Sequence, residues 1–124
     1  MKKSQQVEQQ PHSKNISKNN ERVDTLVKKE LNTIVLALLA EEPMCGRELK
    51  LAIFKHFNVL LSSGTLYPLL HELEKENLLQ CRVGVKTKTY NLIDKDKVCD
   101  LIYGHIAAKN HLNAFLENTI TRRA

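Results

Sequence analysis

Ser62-Ser63-Gly64-Thr65-Leu66-Tyr67-Pro68-Leu69-Leu70-His71-Glu72-Leu73-Glu74-Lys75-Glu76-Asn77-Leu78-Leu79 is the stretch that decides the fold. Leu66, Leu69, Leu70 and Leu73 fall at i, i+3, i+4 and i+7, one apolar stripe that must face a core. Ser62 or Ser63 can cap the amino end of that helix, presenting free backbone N–H groups and the positive dipole end together, which suits a phosphate. The outward face near that end carries Ser63, Thr65, Tyr67 and His71, while the acids Glu72, Glu74 and Glu76 lie towards the other end. A helix entering DNA amino end first keeps those acids away from the phosphates. Pro68 in a helix interior costs roughly 3 kcal/mol, so regular helix is expected to begin only one turn before it, near Gly64.

Working outward, residues 79–83 and 87–92 form two short runs separated by Gly84-Val85-Lys86, the spacing of a hairpin with a glycine-containing turn. The charges between Cys81 and Leu92 are Arg82, Lys86 and Lys88, with no acid. A basic hairpin tip beside a helix amino end grips two parts of one duplex, the helix in the major groove and the tip on flanking backbone. Upstream, Val27, Leu31, Ile34, Val35 and Leu38 predict a helix over 25–40, barred from continuing by Pro43. A second helix is expected from 46 to about 57, burying Leu49, Ile53 and Phe57. Arg47 and Lys50 on its outer side are assigned to phosphate contacts, and Lys55 to solvated surface.

Downstream, Asp94 or Asp96 can cap a helix running to about 120, with Val98, Leu101, Ile102, His105, Ile106, Leu112, Phe115 and Leu116 as a long stripe. So small a domain cannot cover one face of so long a helix. The stripe is therefore assigned to a dimer interface with a second copy, part of it packing back on the first helix. Residues 1–24, rich in Lys, Gln, Asn and Ser with only Val7, Ile16 and Val23 as large apolar groups, are expected to be a disordered arm. A solubilising extension is preferred for it over a minor-groove arm. The fold class that results is mainly α with a small β-hairpin: a winged helix-turn-helix over 25–94 plus a long carboxy-terminal dimerisation helix over 95–124.

Ala40-Glu41-Glu42-Pro43-Met44-Cys45-Gly46-Arg47-Glu48-Leu49, then Ser62-Ser63-Gly64-Thr65-Leu66-Tyr67-Pro68-Leu69-Leu70 and Leu73-Glu74-Lys75-Glu76-Asn77-Leu78-Leu79, resemble the PadR family of winged-helix transcriptional regulators. The likeness spans about residues 30–94, and the S-x-G-T-L-Y-P string is its specific part. It implies a homodimer on an inverted-repeat operator, usually as a repressor, with the carboxy-terminal helix as the dimer element. Some relatives release DNA on binding a small aromatic compound, so an unidentified small-molecule effector is a further implied partner; with three Phe, three Tyr and no Trp, a large aromatic-lined pocket is not expected. Arg47 stands where the family usually has an aromatic residue, which replaces a tyrosine-specific contact by a cation. The short carboxy-terminal part resembles the compact branch of the family.

Across its 124 residues, 19 Lys and Arg against 14 Asp and Glu give a formal net charge of +5, which favours a polyanionic partner. The excess is local to the expected wing, and distribution outweighs the total. Cys45, Cys81 and Cys99 are odd in number and widely spaced, which fits small buried apolar residues in a reducing compartment, and a cytoplasmic protein is expected. The longest apolar run, 34–40, is too short to span a bilayer, so no membrane partner is expected. His56, His71, His105 and His111 show no metal-ligand spacing, and no cofactor or metal is expected. His71 is left between a DNA contact and an ordinary exposed histidine. Tyr67 is assigned to DNA, and Tyr90 is left between contact and packing. An enzyme fails on inventory, with no phosphate loop, nucleophile elbow or carboxylate cluster. The alternative to a transcription regulator is a winged-helix DNA scaffold or protein-interaction module.

Overall fold

The computed structural model describes residues 13–123, with side chains from residue 20 onward. Five helices and three short strands follow in order: α1 (Ser13–Lys29), α2 (Leu31–Glu41), β1 (Met44–Cys45), α3 (Gly46–Phe57), α4 (Ser63–Lys75), β2 (Leu79–Val83), β3 (Lys88–Leu92) and α5 (Lys95–Arg123). α2 forms the centre. Its Leu31, Val35, Leu36, Leu38 and Leu39 are all buried, on more than one side of the helix. Such a helix is apolar most of the way round because neighbours cover it on several sides, here α1, α3, β3 and α5. Leu49 and Ile53 of α3 and Leu66, Leu70 and Leu73 of α4 complete the core with Leu79, Tyr90 and Val98. A leucine at such a fully buried position is worth about 2–5 kcal/mol against alanine.

The expected single helix over 25–40 is divided at Glu30, whose φ of −98° and ψ of 14° leave the helical well. The ladder is not cut, because Glu30 N–H still donates to the Leu26 carbonyl and Ile34 N–H to the Glu30 carbonyl. The chain bends there without a loop. The expected disordered arm is corrected from residue 13 onward: 13–24 belong to α1, and residues 1–12 lie outside the described residues. Judged alone the segment buries too little to fold. Attached to a helix whose Val27 is already docked in the core, each further residue needs only propagation and no new nucleus, and Asp24 and Lys28 add an i,i+4 ion pair at 3.1 Å.

The hairpin pairs Leu79 with Leu92, Cys81 with Tyr90 and Val83 with Lys88, and Gly84 N–H donates to the Thr87 carbonyl at 2.8 Å to close the turn. A strand missed in the sequence, β1, pairs Met44 with Tyr90 and Cys45 with Thr89, so the sheet order is β1-β3-β2. Two residues after a proline carry no alternation to read. Their pairing shields the otherwise open edge of β3 and ties the start of α3 to the wing. Among the described residues, no helix is long and apolar enough to cross a membrane.

α5 corrects part of the dimer assignment. Val98 is fully buried within the chain's own core, and Ile102 packs against that core. His105 faces inward to Glu30. Leu101, Ile106, Leu112, Phe115 and Leu116 remain exposed. A periodic stripe states which side of a helix is apolar, and says nothing about which length of it the same chain covers.

Candidate nucleic-acid interface

Two helix amino ends and the wing converge on one side of the molecule. At the first, Ser62 caps α4: the Thr65 N–H donates to Ser62 Oγ at 3.2 Å, and the two hydroxyls lie 3.1 Å apart. Lys50 of α3 donates from Nζ to Ser63 Oγ at 3.0 Å. A cation from the neighbouring helix therefore sits at the positive dipole end of α4, and both favour an anion. Pro68 lies in the second turn, where it frees only the Gly64 carbonyl, and Gly64 is exposed to water.

At the second, the turn from β1 starts α3. Glu48 accepts a hydrogen bond from the Cys45 N–H at 2.9 Å, and this bond holds its carboxyl below the ordinary value of 4.5. Glu30 is likewise lowered, chiefly by the Lys109 hydrogen bond. A depressed carboxylate stabilises the fold at every pH above its unfolded value and loses that contribution as pH falls through the folded one. Thermal melts between about pH 6 and pH 3 are accordingly expected to show a shallower acid limb for Glu48→Gln and Glu30→Gln than for the wild type.

Between the start of α3, Tyr67 of α4 and the wing lies a shallow cleft of about 350 Å³ lined by Cys45, Gly46, Arg47, Tyr67, Lys86, Thr87 and Lys88, three cations and no acid. The wing supplies Lys86, Thr87 and Lys88 to it, and the start of α3 supplies Arg47. Tyr67 is not simply outward. A methyl group added to Gly46 would fall on the Tyr67 hydroxyl and the Cζ–Cε1 edge of its ring, so the tyrosine rests on bare backbone and registers α4 against α3. Gly46→Ala is expected to displace that ring and weaken DNA binding by roughly tenfold, a single contact's worth. In a Tyr67→Ala background the same change should cost little, which a double-mutant cycle on binding affinity measures.

The remaining sequence-assigned residues separate. Arg82 pairs with Thr89, so strand alternation puts it on the face opposite Tyr90 and Lys88, where it borders Pro43 and Asn91. It is not brought together with the other wing cations. His71 stands exposed on α4, 3.7 Å from Glu74. Tyr90 is resolved in favour of packing: it is 4 % exposed, and burial pushes its hydroxyl up to about 12. Thr87, which no sequence pattern singled out, also lines the cleft. Val85 is a fully exposed apolar residue at the wing tip, and its position in a three-residue turn was the available signal. Among the described residues, no group of three or more His, Cys, Asp or Glu could hold a metal ion.

Comparison with known proteins bears on this surface. The profile described as transcriptional regulator PadR-like family matches residues 35–97, which runs from α2 to the start of α5. The transcriptional activator GvpE of Haloferax mediterranei is 35 % identical over 74 residues, 59 % of this chain and 38 % of GvpE. The chain thus spans well under half the length of that relative. Among solved structures, a PadR family transcriptional regulator from Eggerthella lenta superposes with a TM-score of 0.68 at 23 % identity, covering 88 % of this chain and 97 % of that one. A PadR-like transcription factor from Bacteroides fragilis gives 0.62 at 25 % identity, covering 76 % and 93 %. The likeness includes the helices and the wing that build the cleft, and these relatives are regulators and not enzymes. The chain belongs to the PadR-like family of DNA-binding transcriptional regulators.

Proposed function

We propose that this chain is a sequence-specific double-stranded DNA-binding regulator that acts as a homodimer on an inverted-repeat operator. The observation that carries it is the gathering of Arg47, Lys86 and Lys88 around one acid-free cleft beside the capped start of α4, with Lys50 at that cap. Cations in the cleft take phosphates and fix register. Ser63, Thr65 and His71 on α4 then face base edges and set the sequence preference.

Dimerisation is supported by α5. Val98, Ile102, His105 and Lys109 lie on one stripe that meets the chain's own core and the α1–α2 corner. The same stripe continues as Leu112, Leu116 and Ile120, exposed by 49 %, 49 % and 69 %, with Phe115 beside it at 64 %. An apolar stripe that outruns its own domain suits a second copy related by two-fold symmetry, which matches two recognition helices to two half-sites roughly 34 Å apart. Repression needs only occupancy of a site overlapping a promoter, and we propose that sign of regulation. GvpE, the relative matched over 74 residues, is named an activator. Transcription in vitro from the chain's own upstream region tests this: reduced transcript with a saturable dimer supports repression, and raised transcript overturns it in favour of activation. Coverage that spreads cooperatively beyond one site would instead favour a scaffold.

A further inference from the structure

α5 is held to the domain chiefly through α2. Val98 and Ile102 anchor its first two turns in the core. Further along, the two oxygens of a single carboxylate take over: Glu30 Oε1 meets His105 Nε2, and Glu30 Oε2 accepts a hydrogen bond from Lys109 Nζ at 2.8 Å. His105 and Lys109 stand at i and i+4, one turn apart on the same side of α5. One carboxylate bridging two successive turns resists both rotation and sliding of the helix. With side-chain exposures of 22 % for Glu30, 36 % for His105 and 37 % for Lys109, the group is partly shielded from solvent. The other ion pairs among the described residues are local, at i,i+3 or i,i+4, whereas this clasp joins positions 79 apart in sequence.

Glu30 is also the residue at which α1 bends into α2. The corner that redirects α1 is therefore the point that holds α5, and both helices carry exposed apolar side chains, Val23 and Leu26 on α1 and Leu112, Phe115 and Leu116 on α5. Eleven residues of helix separate Lys109 from Ile120, about 16 Å at ~1.5 Å per residue, so a tilt of about 10° at the clasp moves that end by roughly 3 Å. That shift is comparable to the rise of one base pair.

We propose that Glu30 is the positioning residue that sets the direction of α5 relative to the DNA-reading helices, and thereby the half-site spacing that the dimer accepts. The proposal rests on the homodimeric operator reading above. The test measures affinity of the full chain for its selected operator and for versions with the spacer one base pair shorter or longer, alongside melting temperature and dimer mass. The wild type should lose at least about tenfold per spacer change, the weight of a base contact. Glu30→Gln, or Lys109→Met if the first variant folds poorly, should remain a dimer but discriminate spacers only about twofold to threefold. Glu30→Asp keeps the carboxylate and should retain more discrimination than Glu30→Gln, a split that a general loss of stability would not give. A Glu30→Gln profile as sharp as the wild type's overturns the proposal, as does a Glu30→Asp profile no sharper than that of Glu30→Gln. A wild type indifferent to spacing instead overturns the operator reading, so the two failures are distinguishable.

Discussion

Replacing Arg47, Lys86 and Lys88 together by alanine is expected to lower affinity for every DNA sequence alike, by roughly 100-fold or more at ~100 mM salt, and to flatten the salt dependence. The reason is geometric. These three line one cleft without an acid, so each can sit on a phosphate and release a condensed counterion. Three cations on each of two protomers, each worth about 0.9 of the slope of log K against log salt, should remove roughly 5 from it. All three belong to exposed residues, so folding should be little changed. Arg82→Ala is the internal comparison. Because it lies on the other face of the hairpin, its effect should be smaller than that of Lys86→Ala, and titration at several salt concentrations orders them.

The second large effect is expected on the exposed length of α5. Leu112→Glu with Leu116→Glu places two carboxylates on the exposed continuation of the α5 stripe. In the free chain both positions are about half exposed, so helix and domain should melt much as before. In a dimer they would be buried against apolar surface without partners, at a cost of several kcal/mol per protomer. Sedimentation should report a monomer. Operator affinity should fall about 10²–10⁴-fold, because two half-sites are then bound independently and the gain of linked binding is lost. Affinity for a single half-site should be unchanged.

The parts of the fold that were legible from sequence are those where one residue pattern admits one structure. The leucines of α4 with Ser62 before them, the glycine-containing turn between β2 and β3, and Pro43 after α2 each act within a few residues. What was not legible depends on distant segments. β1 exists because β3 offers it an edge, and α1 reaches back to Ser13 because Val27 is docked. Val98 looks like any other member of its stripe until the core closes over it. His105 turns to its own chain because Glu30 lies within reach, 75 positions upstream, at a helix break that no proline or glycine marks. Around the cleft, the cations were identifiable as types but not as neighbours: register alone separates Arg82 from Lys88. The packing of Tyr67 was not legible beside its assignment to DNA, because the bare backbone of Gly46 beneath it is a tertiary fact.

Hydroxyl-radical footprinting of the wild-type chain on its upstream DNA tests the central claim most directly. Two protected patches related by a dyad, with centres about one helical turn apart and weaker flanking protection from the wing, are the expected result. A single unsymmetrical patch, continuous coverage, or protection that survives alanine at Arg47, Lys86 and Lys88 would contradict it.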